Sequence, residues 1–413
     1  MKIYWWSNSP HVHTGYGNQT ALITPRINQI EQHEVILGSL YGVQGSPLTW
    51  QGMQVLPQPP YGDITGNSIL AGDQQYLGAD IVITLFDSFT FDRTEMSKFR
   101  WIPYMPIDHD PVPPLVAKAL SVSWVQIAYS KWGKQKLEDL GFNPLYIPHG
   151  VDTDVYKPMD RAEAREFLGV PEDSFVAGIV AANKDRPSRK CFDQQIRAFA
   201  NLRKKHPDAL LYIHTAFESI RGDNIAELID LAGIPRKAIL QPDQHMYKRG
   251  LLNSEYLNTV YNALDVLLNA SRGEGFGIPI IEAQAAGTPV IASGFSAMPE
   301  LVKAGWIVEV DEDDAYFSQS SYQYIPKVSG ITDKLELAYN LSDEGRAALA
   351  ETARDSMLKE YDIDVVFVLK WIPALAEISQ KLEQETQRRE DRFSIPASLN
   401  GKERAEEAKE IQI

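Results

Sequence analysis

Ser271-Arg272-Gly273-Glu274-Gly275-Phe276-Gly277-Ile278-Pro279-Ile280-Ile281-Glu282-Ala283-Gln284-Ala285-Ala286-Gly287-Thr288-Pro289-Val290-Ile291 follows the short apolar run Val266–Asn269. Together they read as strand, glycine loop, helix, turn and strand. Pro279 suits a first helical turn, where its missing N–H costs nothing, and Gly287 suits the residue that ends a helix in the left-handed conformation. The loop glycines let main-chain N–H groups approach a ligand at the helix N-terminus, an end that favours an anion.

Working outward, the same alternation occurs twice. Lys2–Trp6, Glu34–Leu40, Asp80–Phe86, Trp101–Ile107 and Trp124–Tyr129 read as strands, with a helical pattern such as Asn18–Gln32 between some of them. A second set comprises Phe175–Ala182, Ala209–Thr215, Ala238–Leu240, Val266–Asn269 and Pro289–Ala292. Strands alternating with helices imply parallel sheets covered on both faces. The Pro, Gly and Asp residues between Pro148 and Pro158 suit an extended linker. The expected fold is therefore α/β, with two Rossmann-like domains over residues 1–150 and 151–361 facing a cleft. From Asp362 the chain is helical and partly apolar through Ala376. The last 34 residues, Gln380 to Ile413, carry 15 charged side chains; residues 381–413 are expected to be a solvated helix or disordered.

With 413 residues the chain has material for full hydrophobic cores, which excludes a peptide or a single small module. Its 40 basic residues against 55 acidic give a net charge of −15, which makes nucleic acid a poor first partner. Cys191 alone permits neither an intrachain disulfide nor a cysteine-ligated zinc centre, so a reducing, cytoplasmic location is expected. No apolar run approaches the ~18 residues of a membrane-spanning helix. Six of the eight Trp lie in the first 132 residues, on strand patterns that assign most of them to the core.

Chemistry-bearing residues fall in four places. Glu274 and Glu282 are ionisable groups near one helix end, and each carboxylate can hold a vicinal diol through two oxygens. Asn183-Lys184-Asp185-Arg186-Pro187-Ser188-Arg189-Lys190 supplies positive charge after a strand. Thr14-Gly15-Tyr16-Gly17 is a weak glycine loop before a helix; a dinucleotide fingerprint needs its glycines directly after the first strand, and here residues 7–14 intervene. Asp108 and His109 end a parallel strand, where α/β sheets place ligands, although an Asp-Pro turn competes.

These residues together resemble the family 4 glycosyltransferases of the GT-B fold, whose signature is E-x7-E within a phrase like EGFG-P-EA-A-G-PVI. His33-Glu34-Val35, Tyr129–Gly133 and Ile147–Thr153 resemble further phrases of that family, so that the likeness covers roughly residues 1–380. It implies that Glu274 contacts the donor sugar and Glu282 the nucleotide ribose, with Gly275, Phe276 and Gly277 lining the donor. It implies a diphosphate gripped by a basic pair, here Lys184 and Lys190, with Arg186 or Arg189 able to share the role. Asn183 belongs to the same segment. Gly15 and Gly17 would close over the diphosphate, and either Asp108 or His109 would sit near the donor sugar. A C-terminal helix over 362–380 would complete the first domain. The sequence departs from the pattern at Lys184, where Arg is usual, at Cys191, where Gly is usual, and at His149, where Asn is common. As a metal ligand His149 would lack partners.

The resemblance implies a retaining glycosyltransferase that takes a sugar from a UDP- or GDP-sugar to an acceptor hydroxyl, with no essential metal and no other cofactor. Catalytic roles would fall to Asp108, His109, Lys190 and Glu274. The acceptor, whether glycan, protein, lipid or small molecule, is not legible, and neither is the oligomeric state. A DNA-modifying glycosyltransferase is disfavoured by the charge of −15. A nicotinamide dehydrogenase would leave Glu274 and Glu282 unexplained. A non-catalytic nucleotide-sugar-binding protein would need the same binding residues.

Overall fold

A computed structural model describes residues 1–59, 63 and 65–393. Residues 1–367 pack as one compact unit built on two large sheets and one two-stranded hairpin. The first is built from β1 (Lys2–Asn8), β2 (Glu34–Tyr41), β3 (Leu48–Trp50), β4 (Met53–Leu56), β5 (Ile81–Leu85), β6 (Trp101–Met105), β7 (Ile127–Ala128) and β8 (Leu145–Tyr146). Their spatial order is β3-β4-β2-β1-β5-β6-β7-β8, parallel throughout except for the short β3–β4 pair at one edge.

The second sheet contains β9 (Val176–Val180), β10 (Leu210–His214), β11 (Ile239–Leu240), β12 (Val266–Asn269), β13 (Val290–Ser293) and β14 (Gly305–Val308). All its neighbours are parallel, in the order β11-β10-β9-β12-β13-β14. That is the doubly wound order in which the chain reverses direction across the sheet between its first and fourth strands. Ligands of such sheets bind in the crevice outside the carboxyl ends at that reversal. Here it lies between β9 and β12, and the corresponding point of the first sheet lies between β1 and β5.

The central strands are buried on both faces, which is why they read as near-continuous apolar runs. Trp5, Trp6 and Trp101 are fully buried, as their strand positions predict. Burying an indole N–H without a partner is costly, and each is satisfied: Trp5 by Thr20 Oγ1 (3.2 Å), Trp6 by the Thr65 carbonyl (3.0 Å) and Trp101 by Thr84 Oγ1 (2.9 Å).

Several elements differ from the sequence reading. The first helix runs Gly15–Asn28 rather than from Asn18, because the Thr14 hydroxyl accepts the Gly17 N–H and so caps it earlier. The strand expected over Trp124–Tyr129 shortens to β7. Strands β3, β4, β8 and β14 and an antiparallel hairpin, β15 (Ala315–Ser318) with β16 (Ser321–Tyr324), were not anticipated. Residues from Val368 form a second unit, helical over Ile372–Phe393. The rest of the charged tail, 394–413, lies outside the described residues. Among the described residues no helix is long and apolar enough to cross a membrane.

Candidate functional site

The glycine loop leaves β12 and enters the helix Ile278–Ala285, with Pro279 in its first turn and Gly287 beyond its end at φ 87°. Gly277 has φ 118°, a conformation that any side chain would strain. The other two glycines serve a close approach between the halves of the compact unit. A Cβ on Gly275 would stand 2.3 Å from Pro106 Cβ, and one on Gly273 would stand 2.6 Å from the Asp108 carbonyl oxygen. The loop is thereby pressed against the end of β6.

Glu274 is buried at the centre of this loop. Its Oε1 accepts from Lys190 Nζ at 2.5 Å and from Ser271 Oγ at 2.6 Å, and its Oε2 accepts from Arg189 at 2.9 Å. The same guanidinium donates to the Gly273 carbonyl. Burial alone would raise this carboxyl, but the charges of Arg189 and Lys190, with the Lys190 and Ser271 hydrogen bonds, outweigh it and hold it at about 2. Burial pulls the Lys190 ammonium down while Glu274 pulls it back up.

Glu282 is equally buried but lives in a different environment. Tyr261 donates to its Oε2 at 2.8 Å, and the Tyr156 hydroxyl lies beside it. With tyrosines rather than cations as neighbours, burial pushes this carboxyl up to about 6. The two glutamates share no hydrogen-bonding partner.

From the first half, the ends of β5 and β6 bring acids to the same place. Asp108 Oδ1 pairs with His109 Nδ1 at 2.7 Å, and His109 Nε2 meets Ser318 Oγ at 2.8 Å. Burial would raise Asp108, yet the His109 hydrogen bond and the Arg189 charge hold it below its ordinary range. Asp87 follows β5 and goes the other way, pushed up to about 6 by burial and by Asp108, with Arg189 and Lys184 opposing.

The expected site residues therefore divide. Glu274, Lys190, Arg189, Asp108 and His109 converge. Lys184 stays exposed and reaches Asp87 and Lys190 only through its field, so the cation that joins Lys190 on Glu274 is Arg189. Asn183 is occupied elsewhere: its amide donates to the carbonyls of Ala216 (3.0 Å) and Asp223 (2.7 Å) and accepts the Asp223 N–H (2.8 Å). Phe276 packs edge-on against Tyr129 and His149 of the first half. A Cβ on Gly15 would stand 3.2 Å from Cδ1 of Ile278 at the start of the glycine-loop helix, whereas one on Gly17 would stand 2.2 Å from the Val12 carbonyl oxygen, so Gly17 must be glycine. His149 bonds Tyr104 at 2.9 Å, and burial drives it down to about 3, leaving it a neutral packing residue. Asp87 and the β15–β16 hairpin are additions; the only signal for Asp87 was its place at the end of a parallel strand.

Residues 160–319 match the family model for glycosyl transferases group 1. Over 160 residues the chain is 34% identical to D-inositol 3-phosphate glycosyltransferase of Mycobacterium sp. (strain KMS), covering 38% of this chain and 33% of that protein. The enzyme of the same name from Mycobacterium leprae (strain Br4923) is 32% identical over 159 residues, covering 38% and 34%. The match thus spans about a third of the length of these curated relatives. Among solved structures, sucrose-phosphate synthase from Thermosynechococcus elongatus superposes with TM-score 0.69 at 16% identity, over 93% of this chain and all of that one. Anabaena HepE, solved with UDP and glucose, gives 0.63 at 16% identity, again over 93% of this chain and all of that one. Residues 160–319 thus resemble a group 1 glycosyltransferase domain, and the two-sheet architecture across both halves is the GT-B fold of these solved structures.

Proposed function

We propose that this protein is a retaining glycosyltransferase that moves a sugar from a nucleoside-diphosphate sugar, with UDP or GDP as carrier, to an acceptor hydroxyl. The observation that supports it most is Glu274, a buried carboxylate held ionised by Arg189 and Lys190 at the carboxyl-end crevice of the second sheet. A hydroxyl-rich ligand needs such an acceptor, and a diphosphate needs such cations.

In this reading Glu282, with no cation beside it, takes the ribose diol at the far end of the donor. The departing diphosphate gains negative charge as the bond from the anomeric carbon to its oxygen breaks. Arg189, Lys190 and the N-terminus of helix Ile278–Ala285 bind that charge more tightly as it develops. The acceptor oxygen forms the new bond on the same face, and its proton passes to the departing phosphate oxygen, which yields the glycoside and the nucleoside diphosphate. These side chains and that helix end supply the positive charge without a metal. Asp108 is paired with His109 and is assigned a positioning role, not that of a nucleophile. The single, buried Cys191 supports a cytoplasmic setting.

The test is turnover. The full chain, given UDP-glucose or GDP-mannose and a mixed acceptor panel, should release nucleoside diphosphate and form a product with the donor's anomeric configuration, read by proton NMR. An inverted product overturns retention. Binding without any turnover identifies a nucleotide-sugar-binding protein instead.

A further inference from the structure

The β15–β16 hairpin stands apart from both large sheets, and a lone two-stranded hairpin is marginal in water. Its second strand lies beyond residues 160–319, the stretch that matches the family model. Three consecutive residues of β16 tie it to the two halves. Tyr322 exchanges main-chain hydrogen bonds of 2.9 and 3.2 Å with Asp110 of the first half, and the Tyr324 N–H donates to the Arg272 carbonyl of the second at 3.0 Å. Between them, the Gln323 side chain reaches both halves at once.

Gln323 is 1% exposed, so each of its polar atoms needs a partner. Its Oε1 accepts from Arg272 Nε at 3.0 Å, and its Nε2 donates to the main-chain carbonyl and to Oδ2 of Asp108 at 3.2 Å each. These contacts use both N–H groups and the oxygen of the amide. Both neighbours lead onward to the candidate site. The other carboxylate oxygen of Asp108 pairs with His109 at 2.7 Å. Arg272 donates from its main-chain N–H to the Arg189 carbonyl at 3.0 Å, and from its guanidinium to the Pro187 carbonyl at 3.3 Å. The side chains of Arg189 and Lys190 then hold Glu274. The amide also lies against the glycine loop itself, since a Cβ on Gly273 would stand 2.8 Å from Gln323 Nε2.

We propose that Gln323 is a positioning residue for sugar transfer, a single neutral amide that sets the Asp108–His109 pair of the first half in register with the Arg189, Lys190 and Glu274 cluster of the second. This rests on the glycosyl-transfer reading above. The place calls for an amide because it must donate to a carboxylate on one side and accept from a guanidinium on the other. A carboxylate there would accept from Arg272 but meet Asp108 with like charge. An apolar side chain would leave Asp108 Oδ2 and Arg272 Nε without this partner in a buried place. Gln323 hydrogen-bonds neither Glu274 nor Glu282, so its loss bears on the alignment of the halves rather than on nucleotide affinity.

The experiment measures nucleotide release by the full chain from UDP-glucose or GDP-mannose with the mixed acceptor panel, and nucleotide Kd beside it, well below the melting temperature of every variant. Gln323→Met and Gln323→Glu should each lower kcat about 10- to 100-fold, the size of a lost buried hydrogen bond to a charged group, with nucleotide Kd within about threefold of wild type. A merely structural role would instead reduce the amount of nucleotide-binding protein and leave kcat per binding site unchanged. Asp108→Asn alone sets the N–H groups of one amide against those of another. Combined with Gln323→Glu, it restores the contact with donor and acceptor exchanged: the asparagine donates to the new carboxylate and keeps its oxygen for His109, while Arg272 still finds an acceptor. The double variant should therefore turn over faster than either single one. A kcat within about twofold of wild type in Gln323→Met, or a double variant no faster than the single ones, overturns the proposal while leaving glycosyl transfer intact. Failure of the wild type to bind either nucleotide removes the glycosyl-transfer reading and this one with it.

Discussion

Lys190 Nζ lies 2.5 Å from Glu274 Oε1, a contact made across 84 residues of sequence. It joins the loop after β9 to the loop after β12, on the two sides of the reversal in the second sheet, and Arg189 repeats it on the other carboxylate oxygen. Removing one member of a buried ion pair leaves the other uncompensated and typically costs about 3–5 kcal/mol. Glu274→Gln should accordingly lower both stability, measured by urea denaturation, and kcat, measured by nucleotide release.

The pH dependence of that contact has a definite sign. The Glu274 carboxyl is depressed from its ordinary 4.5 to about 2 in the folded protein, so its stabilisation is complete above pH 4.5 and is lost as pH falls towards 2. The denaturation midpoints of wild type and Glu274→Gln should therefore converge over that interval and stay separated at pH 7.

Glu282 has the opposite sign. Raised to about 6, it favours the folded state below pH 4.5 and disfavours it as pH rises through 6, by about 2 kcal/mol relative to an unshifted carboxyl. Ligand-free Glu282→Gln should be more stable than wild type at pH 8 by an amount of that order, with the gain vanishing near pH 4. The same variant should bind nucleotide more weakly, a stability gain set against function.

Cys191 occupies φ 51°, the position where the resembled family carries glycine. Cys191→Gly and Cys191→Ala both remove the sulfur and differ only in a Cβ that this backbone disfavours. The glycine variant should be the more stable by about 1 kcal/mol in thermal melts.

Gly275→Ala places a methyl group against Pro106, where only 2.3 Å is open, and forces the glycine loop away from β6. Overpacking of this kind costs about 1–3 kcal/mol, and here kcat/KM should fall with it. Gly72→Ala, in the helix Leu70–Leu77 with nothing within 4 Å of the new Cβ, is the control and should stabilise by about 0.5–1 kcal/mol.

The glycine loop was legible because strand, helix and breaker signals agree there within one stretch. Pro279 at the helix start and Gly287 at its end fell where the sequence placed them. The partner cations were half legible. Spacing in Lys184–Lys190 cannot say which side chains turn inward, and the structure turns Arg189 in and leaves Lys184 out. The roles of Asn183 and Phe276 depend on what packs beside them, Asp223 in one case and Tyr129 in the other, which no local pattern encodes. The hairpin Ala315–Tyr324 was invisible because its two-residue turn, Gln319-Ser320, carries none of the Gly, Asn or Asp that announce such a hairpin. Asp87 was invisible because a single acid after a strand is no motif.

The most direct measurement is a thermal-shift comparison of wild type and Glu282→Ala against UDP, GDP, ADP and their common sugar conjugates. A ligand of the native state raises the melting temperature. One nucleotide family should stabilise the wild type, and Glu282→Ala should lose that response. Stabilisation of the wild type by none of them, or an undiminished response in Glu282→Ala, contradicts the assignment of this crevice as a nucleotide-sugar site.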